Sequence, residues 1–259
     1  RWDYDYTGGD TTGGLTRLKD KRVGIIGTGA TAIQCIPHLG EDSEHLYVFQ
    51  RTPSSVDARH NTPTDTQWFK SLQPGWQRER IWNFSTTLSG GFLEEDLVND
   101  GWTDIMRNLA GSMARRDGSS LSPQEIMNEV ERVDFLKMEE IRNRAESIVN
   151  DPDTAEALKP WYRQFCKRPC FHDDYLPTFN RPNVTLVETE GRGVEAITQN
   201  GVVAGGQEYP IDCLVFATGF EVGTDYSRRA AIHLIGMNGV SLTECCLEGA
   251  RTHTGLFAK

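Results

Sequence analysis

The chain has 259 residues, of which 25% are charged and 37% hydrophobic. That balance fits a folded, soluble globular protein and excludes a disordered or fibrous one. A net charge of −10 argues against nucleic acid as the main partner, and no apolar run approaches the roughly 18 residues a membrane-spanning helix needs.

Residues 1–20, RWDYDYTGGDTTGGLTRLKD, have the Gly, Asp and Thr content of a loop or linker. Arg22-Val23-Gly24-Ile25-Ile26 then reads as a short buried strand. Behind it, GTGATAIQCIPHLG places Ala30, Ile33, Ile36 and Leu39 at helical spacing. Leu46-Tyr47-Val48-Phe49-Gln50 is a second strand. Strand, glycine turn, helix and strand within about 30 residues open a doubly wound α/β sheet.

Residues 66–160 change character. Trp68, Phe69, Trp76, Trp82, Phe84, Phe92 and Trp102 are spread through a polar background, and packing is the expected role for these aromatics. Ser122-Pro123-Gln124-Glu125 has the chemistry of a helix start. Ile126, Val130, Val133, Ile141, Ala145 and Ile148 extend it as an apolar stripe. The block reads as a mostly helical insertion. After Arg181-Pro182 strands return at Val184–Val187. A small antiparallel element is expected around Gln199-Asn200-Gly201. Asp212–Phe216 is another buried strand, running into Ala217-Thr218-Gly219.

Cys35, Cys166, Cys170, Cys213, Cys245 and Cys246 show no C-x-x-C spacing, so they read as reduced thiols of a cytoplasmic protein. The Cys166/Cys170 pair brackets cations and has no second ligand pair, which does not favour a metal. Neither do the scattered His38, His45, His60, His172, His233 and His253. The chain starts at Arg1 without a signal-peptide pattern and stops on GLFAK, so both ends read as cut from something longer.

Gly27-Thr28-Gly29-Ala30-Thr31-Ala32 fits G-x-G-x-x-G/A in the right context, between a strand and a helix. The first glycine permits the turn, the second admits a pyrophosphate, and the small last residue lets helix and strand pack closely. An NAD site would carry an acid at the end of the second strand. Here Gln50-Arg51-Thr52 stands there, and a guanidinium can fork onto a 2′-phosphate, which points to NADP. Asp57 and Arg59 follow closely enough to line a cofactor edge.

Taken together, KRVGIIGTGATAIQ, VFQRTP, CKRP, FNRPNV and DCLVFATGF resemble the Baeyer–Villiger monooxygenases, class B flavoprotein monooxygenases, in order and spacing. Trp2 and Asp3 match the last two positions of that family's fingerprint, F-x-G-x-x-x-H-x-x-x-W-[P/D]. The resemblance implies a Rossmann-like NADP-binding domain over 21–219, with a helical insertion at 66–160 and a small antiparallel β element. Residues 1–20 would be a linker from an FAD domain, and 220–259 the start of the return to it.

The resemblance further implies that NADPH reduces FAD, and that O2 adds to give a peroxyflavin. That species attacks a ketone carbonyl and leaves an ester or lactone. It assigns cofactor binding to Gly27, Thr28, Gly29, Ala30, Thr31, Ala32, Gln34, Arg51, Thr52, Lys167, Ala217, Thr218 and Gly219. Arg168 becomes the active-site cation, suited to that work because it cannot lose its proton. On the residues alone, Lys167 and Arg168 could instead belong to an ordinary basic loop paired with Asp173 and Asp174. The FAD glycine turn, the fingerprint histidine and the aspartate that partners the arginine have no counterpart among the 259 residues. The chain by itself is therefore expected to hold FAD poorly and not to turn over.

Alternatives are a flavin-dependent N- or S-oxygenating monooxygenase, a nucleotide-binding fragment with no activity of its own, and a flavin disulfide reductase. The last lacks the cysteine pair it would need.

Overall fold

The computed structural model describes residues 2–91, 93–114, 122–220, 226–249, 252–253 and 257–258. In chain order the first elements are α1 (Tyr4–Thr7), β1 (Arg22–Ile26), α2 (Ala30–Asp42), β2 (His45–Gln50) and β3 (Val56–Asp57). Helices α3 (Thr66–Ser71), α4 (Trp76–Leu88), α5 (Gly101–Ala114), α6 (Pro123–Ile148) and α7 (Pro152–Ala157) follow. Then come β4 (Cys170–Phe171), α8 (Tyr175–Thr178), β5 (Val184–Glu188), β6 (Ala196–Ile197), β7 (Gly201–Ala204), β8 (Gln207–Pro210) and β9 (Cys213–Phe216). The last elements are α9 (Tyr226–Ala230), α10 (Leu242–Cys245), β10 (Thr252–His253) and β11 (Phe257–Ala258). Residues 1–218 and 219–259 form two compact units.

In the first unit the main sheet has the order β5-β2-β1-β9, and every pairing in it is parallel. Side chains alternate across this sheet, as a period of two demands. Val23, Ile25, Leu46, Val48 and Val184 face one side, where α2 contributes Ala32, Ile33, Ile36 and Leu39 and α8 contributes Tyr175 and Leu176. Phe49 and Val187 face the other side and meet Val202 and Ala204 of β7.

A doubly wound sheet is expected to carry helices on both faces. Here the second face is covered by the antiparallel sheet β6-β7-β8. The short connection from β5 to β9 explains this: it carries an asparagine–glycine hairpin and no helical period. Gly24 makes the close fit possible. A Cβ there would lie 2.9 Å from Ile211 Cδ1 and 3.2 Å from Phe49 Cε2.

The N-terminal segment is more than a linker. Leu15 and Leu18 are buried in the core of the first unit, and the Leu15 amide donates to Asp42 Oδ2 (2.8 Å). Asp3 caps α1 through Oδ1, which accepts the Tyr6 amide (3.1 Å), and Trp2 Nε1 donates to Thr7 Oγ1 (3.0 Å). The tryptophan–aspartate pair thus starts a helix.

Among the described residues between β2 and β5, the regular elements are helices apart from the short parallel pair β3–β4. The capping box at Ser122 forms as expected, with Glu125 returning a bond to the Ser122 amide (2.8 Å). The apolar stripe of α6 holds only from Val133 onward, where Val133, Ile141 and Ala145 are buried. Ile126 and Val130 are exposed. The aromatics of α3 and α4 also depart from the packing expectation, since Trp68, Phe69 and Trp82 are exposed. Phe92 lies outside the described residues.

The second unit contains α9, a capping box of Ser241 with Glu244 ahead of α10, and the antiparallel pair β10–β11. Among the described residues no helix is long and apolar enough to cross a membrane.

Candidate active site and dinucleotide crevice

The glycine turn lies where the strand order reverses, between β1 and β9. Gly27 donates its amide to Phe49 O (3.1 Å), and Ala217 donates to Ile26 O (2.9 Å). The mouth of the crevice is therefore held by β2, β1 and the edge strand β9. Gly27 has φ +111°, and a Cβ on it would strike the Ala217 carbonyl oxygen at 2.5 Å. Only glycine fits.

Gly29 caps α2, and with no side chain it leaves the first-turn amides without a side-chain partner. A Cβ there would meet nothing within 4 Å. Open space, uncapped amides and the helix dipole together favour an anion at this point. Ala32 is fully buried against the sheet, whereas Thr31 is exposed.

Two of the expected cofactor residues are engaged within the protein. Thr28 is buried and its Oγ1 donates to Thr52 O (2.9 Å). Gln34 folds back onto its own helix, with Nε2 donating to Ala30 O (2.9 Å). Thr218 is exposed at the end of β9, while Gly219 (φ +90°) opens the second unit and is not placed with the turn.

Lys167 reaches the loop that follows β2. Lys167 Nζ donates to Thr52 Oγ1 and to Pro53 O (3.3 Å), and it sits 4.8 Å from the centroid of the Tyr162 ring. Burial, and then the neighbouring charge of Arg51, lowers the Lys167 ammonium below the ordinary lysine range. Like charges held this close disfavour each other. Neither Arg51, Lys167 nor Arg168 pairs with a carboxylate among the described residues.

The basic-loop alternative paired Lys167 and Arg168 with Asp173 and Asp174, and neither aspartate forms such a pair among the described residues. Instead Asp173 accepts the amides of Arg59 (2.8 Å), His60 (3.2 Å) and Asn61 (3.3 Å). Arg59 pairs with Asp100 (3.3 Å), so it does not reach toward the turn as a cofactor contact would.

Arg168 is exposed and lines a hollow of about 620 Å³ with Phe84, Leu88, Trp102, Phe165 and Pro169. Its guanidinium carbon lies 5.8 Å from the Trp102 ring centroid. A cation over an aromatic face in a mostly apolar hollow is well placed to stabilise negative charge that develops nearby. Sequence reasoning missed Phe84, Leu88, Trp102 and Phe165 as lining residues, because aromatic residues in a helical block read as core. Proline 169 after the two cations was the one local hint of a fixed turn. Cys166 and Cys170 are free thiols, Cys170 buried and Cys166 exposed. No cluster of metal ligands exists among the described residues.

No family model matches the chain. Curated relatives do. Neopentalenolactone D synthase of Streptomyces avermitilis is 57% identical over 258 residues, 99% of this chain and 43% of its own length. Baeyer-Villiger monooxygenase ATR8 of Stachybotrys chlorohalonatus is 54% identical over 98% of this chain and 41% of its own length. Among solved structures, the polycyclic ketone monooxygenase of Thermothelomyces thermophila superposes with a TM-score of 0.82 at 42% identity, over 98% of this chain and 42% of that one. An oxidized steroid monooxygenase bound to NADP superposes with a TM-score of 0.64 at 26% identity, over 99% of this chain and 47% of that one. The chain spans less than half the length of these relatives. Over that span, the chain is similar to proteins named as Baeyer–Villiger monooxygenases.

Proposed function

We propose that the first unit is a Rossmann-like NADP-binding domain. The protein that carries it inserts one atom of O2 next to a ketone carbonyl and yields an ester or lactone. The observation that carries this reading is one chain of contacts. Thr28 of the glycine turn bonds Thr52 O, and Lys167 bonds Thr52 Oγ1. The turn that would hold a pyrophosphate is thereby tied to the loop that bears Arg168.

The residues present fit NADP. The first-turn amides of α2 and the open space at Gly29 suit a pyrophosphate. Arg51, exposed and without a carboxylate, suits a 2′-phosphate, and Lys167 adds a second charge beside it. The ligand's negative charge would relieve the repulsion between Arg51 and Lys167. Ala217 shapes the floor of the crevice, and Thr218 stands at its edge.

NADPH supplies a hydride, and FAD supplies the chemistry that activates O2. No residue is assigned to FAD, because the chain holds a single glycine-rich dinucleotide turn. Arg168 contributes a permanent positive charge at the apolar hollow, where it would stabilise the oxyanion that forms as the carbonyl is attacked. Trp102, Phe84 and Phe165 limit water there. They also make room for a bulky apolar ketone.

Calorimetry with the chain tests the cofactor. NADP is expected to bind at least tenfold tighter than NAD, and Arg51→Ala is expected to remove the difference. Equal affinities in the wild type overturn it. Product analysis with the protein that carries the chain tests the reaction. Ring-expanded lactone from a cyclic ketone is expected, and oxygenation only at nitrogen or sulfur overturns it.

A further inference from the structure

One charge network stands apart from the cofactor crevice. Lys137, in the middle of α6, has only a tenth of its side chain exposed. Its ammonium lies 2.7 Å from Asp57 Oδ2 and 2.8 Å from Asp104 Oδ2, with Glu140 Oε2 at 3.4 Å. Asp57 ends β3, and Asp104 is in the first turn of α5. One cation of a third element thus joins two carboxylates that would otherwise repel each other.

The same two elements meet again at the hollow. Asp57 pairs in register with Phe171 of β4, three residues beyond Arg168. Gly101, at the start of α5, presses onto that ring so closely that a Cβ would lie 2.2 Å from Phe171 Cε1. Trp102 follows, 5.3 Å from the Phe171 centroid and 5.8 Å from Arg168 Cζ. The contacts close a ring. Lys137 ties Asp57 to Asp104, Asp57 fixes β4, and Asp104 fixes the α5 turn whose Trp102 covers Arg168. Arg144 of the same helix reinforces the platform by donating to Val56 O (3.1 Å) and His172 O (3.2 Å).

We propose that Lys137 is a positioning residue for Arg168: by clamping the start of α5 to β3–β4 it holds Trp102 over the guanidinium and fixes where that charge points into the hollow. A buried ion pair of this kind adds little net stability compared with apolar groups of similar size. What it supplies is one defined geometry. The inference rests on the reading of Arg168 as the site cation.

The test labels the chain with 5-fluorotryptophan and assigns the Trp102 signal by its loss in Trp102→Phe. In the wild type, Arg168→Gln is expected to move the fluorine resonance of Trp102. The triple variant Lys137→Met, Asp57→Asn, Asp104→Asn removes the clamp and buries no unpaired charge: Glu140 is exposed, and Arg107, the other partner of Asp104, keeps its pair with Asp96 (3.5 Å). There the Trp102 resonance is expected to broaden or move, and Arg168→Gln no longer to affect it. NADP affinity should stay within twofold, since the glycine turn is untouched and the Asp57 carboxylate is held by Lys137 instead of lining the cofactor edge its sequence position suggests. Lys137→Arg should restore the response.

In the protein that carries the chain, lactone formed per NADPH consumed should fall at least fivefold in the triple variant and recover in Lys137→Arg. If the triple variant does not fold, Asp104→Asn alone must weaken the response. A Trp102 signal that still answers to Arg168→Gln without the clamp overturns the proposal. Failure of the wild type to bind NADP would instead strike the cofactor reading, because the fluorine signal does not depend on it.

Discussion

The carbonyl oxygen of Ala217 occupies the place that a side chain on Gly27 would need, 2.5 Å from where its Cβ would stand. Neighbouring strands have closed the turn onto bare backbone. Gly27→Ala therefore combines a clash with a backbone of positive φ. It should cost about 2 kcal/mol or more of stability, read as a lower urea midpoint at unchanged slope.

Gly29→Ala separates ligand space from fold. Its φ of −80° and its empty surroundings accept a methyl group. Stability is expected to stay within about 0.5 kcal/mol, while NADP affinity falls at least tenfold because the methyl group enters the pyrophosphate's space. Retained affinity in calorimetry would contradict the placement of the phosphates.

NADP binding should carry an alkaline limit set by Lys167. Only the protonated ammonium attracts phosphate, so affinity is full below the Lys167 pKa and lost as pH rises through it. Burial and then Arg51 lower that pKa, so the loss begins below the ordinary lysine range. Arg51→Ala removes one of the two causes, and the limit should move to higher pH even as overall affinity drops. Titration of NADP affinity between neutral and alkaline pH measures both.

Arg22 and Asp212 join the starts of β1 and β9. The guanidinium forks onto the carboxylate at 2.8 and 2.7 Å, and the Arg22 amide adds a third bond at 2.8 Å. The side-chain bond first, and then the amide, pull the Asp212 carboxyl from 3.8 to about 2. A lowered carboxyl pKa gives stability that is present above about pH 4 and lost as pH falls toward 2. Both side chains are more than a third exposed, so screening leaves about 1 kcal/mol. Urea unfolding at pH 5 and pH 3 should show this loss, and Asp212→Asn should reduce it.

Gly101→Ala should destabilise the chain by about 1–3 kcal/mol through overpacking against Phe171. Phe171→Leu, which withdraws the ring edge, should recover part of the loss. Additive effects of the two substitutions in thermal melts would deny the contact.

Much of this architecture was legible in the residues. Val23 to Phe49 announced strand, turn, helix and strand because periodicity and glycine chemistry agree there. Ser122 and Glu125 announced the start of α6, because a capping box is local chemistry. Local signals failed where packing is decided by distant partners. Ile126 and Val130 continue an apolar stripe that the described residues leave exposed, and α6 joins the core of the first unit only further along. The antiparallel element around Asn200-Gly201 was legible as a hairpin, but not that it would cover the second sheet face. Lys137 gave no sign of burial, since a lysine on a polar helix reads as a solvated face until Asp57 and Asp104 are seen to enclose it. Arg51, Lys167 and Arg168 were legible as residues. That none of the three pairs with a carboxylate among the described residues, in so acidic a chain, is visible only in three dimensions.

Strands β2 and β5 are hydrogen-bonded neighbours from Leu46↔Val184 to Gln50↔Glu188, although the whole helical segment lies between them in sequence. That segment leaves and returns side by side, through the paired strands β3 and β4. Its helices can be lengthened, shortened or exchanged in the course of evolution without shifting any register in the sheet. The half of the unit that carries the hollow is thus free to diversify while the half that carries the glycine turn can stay intact.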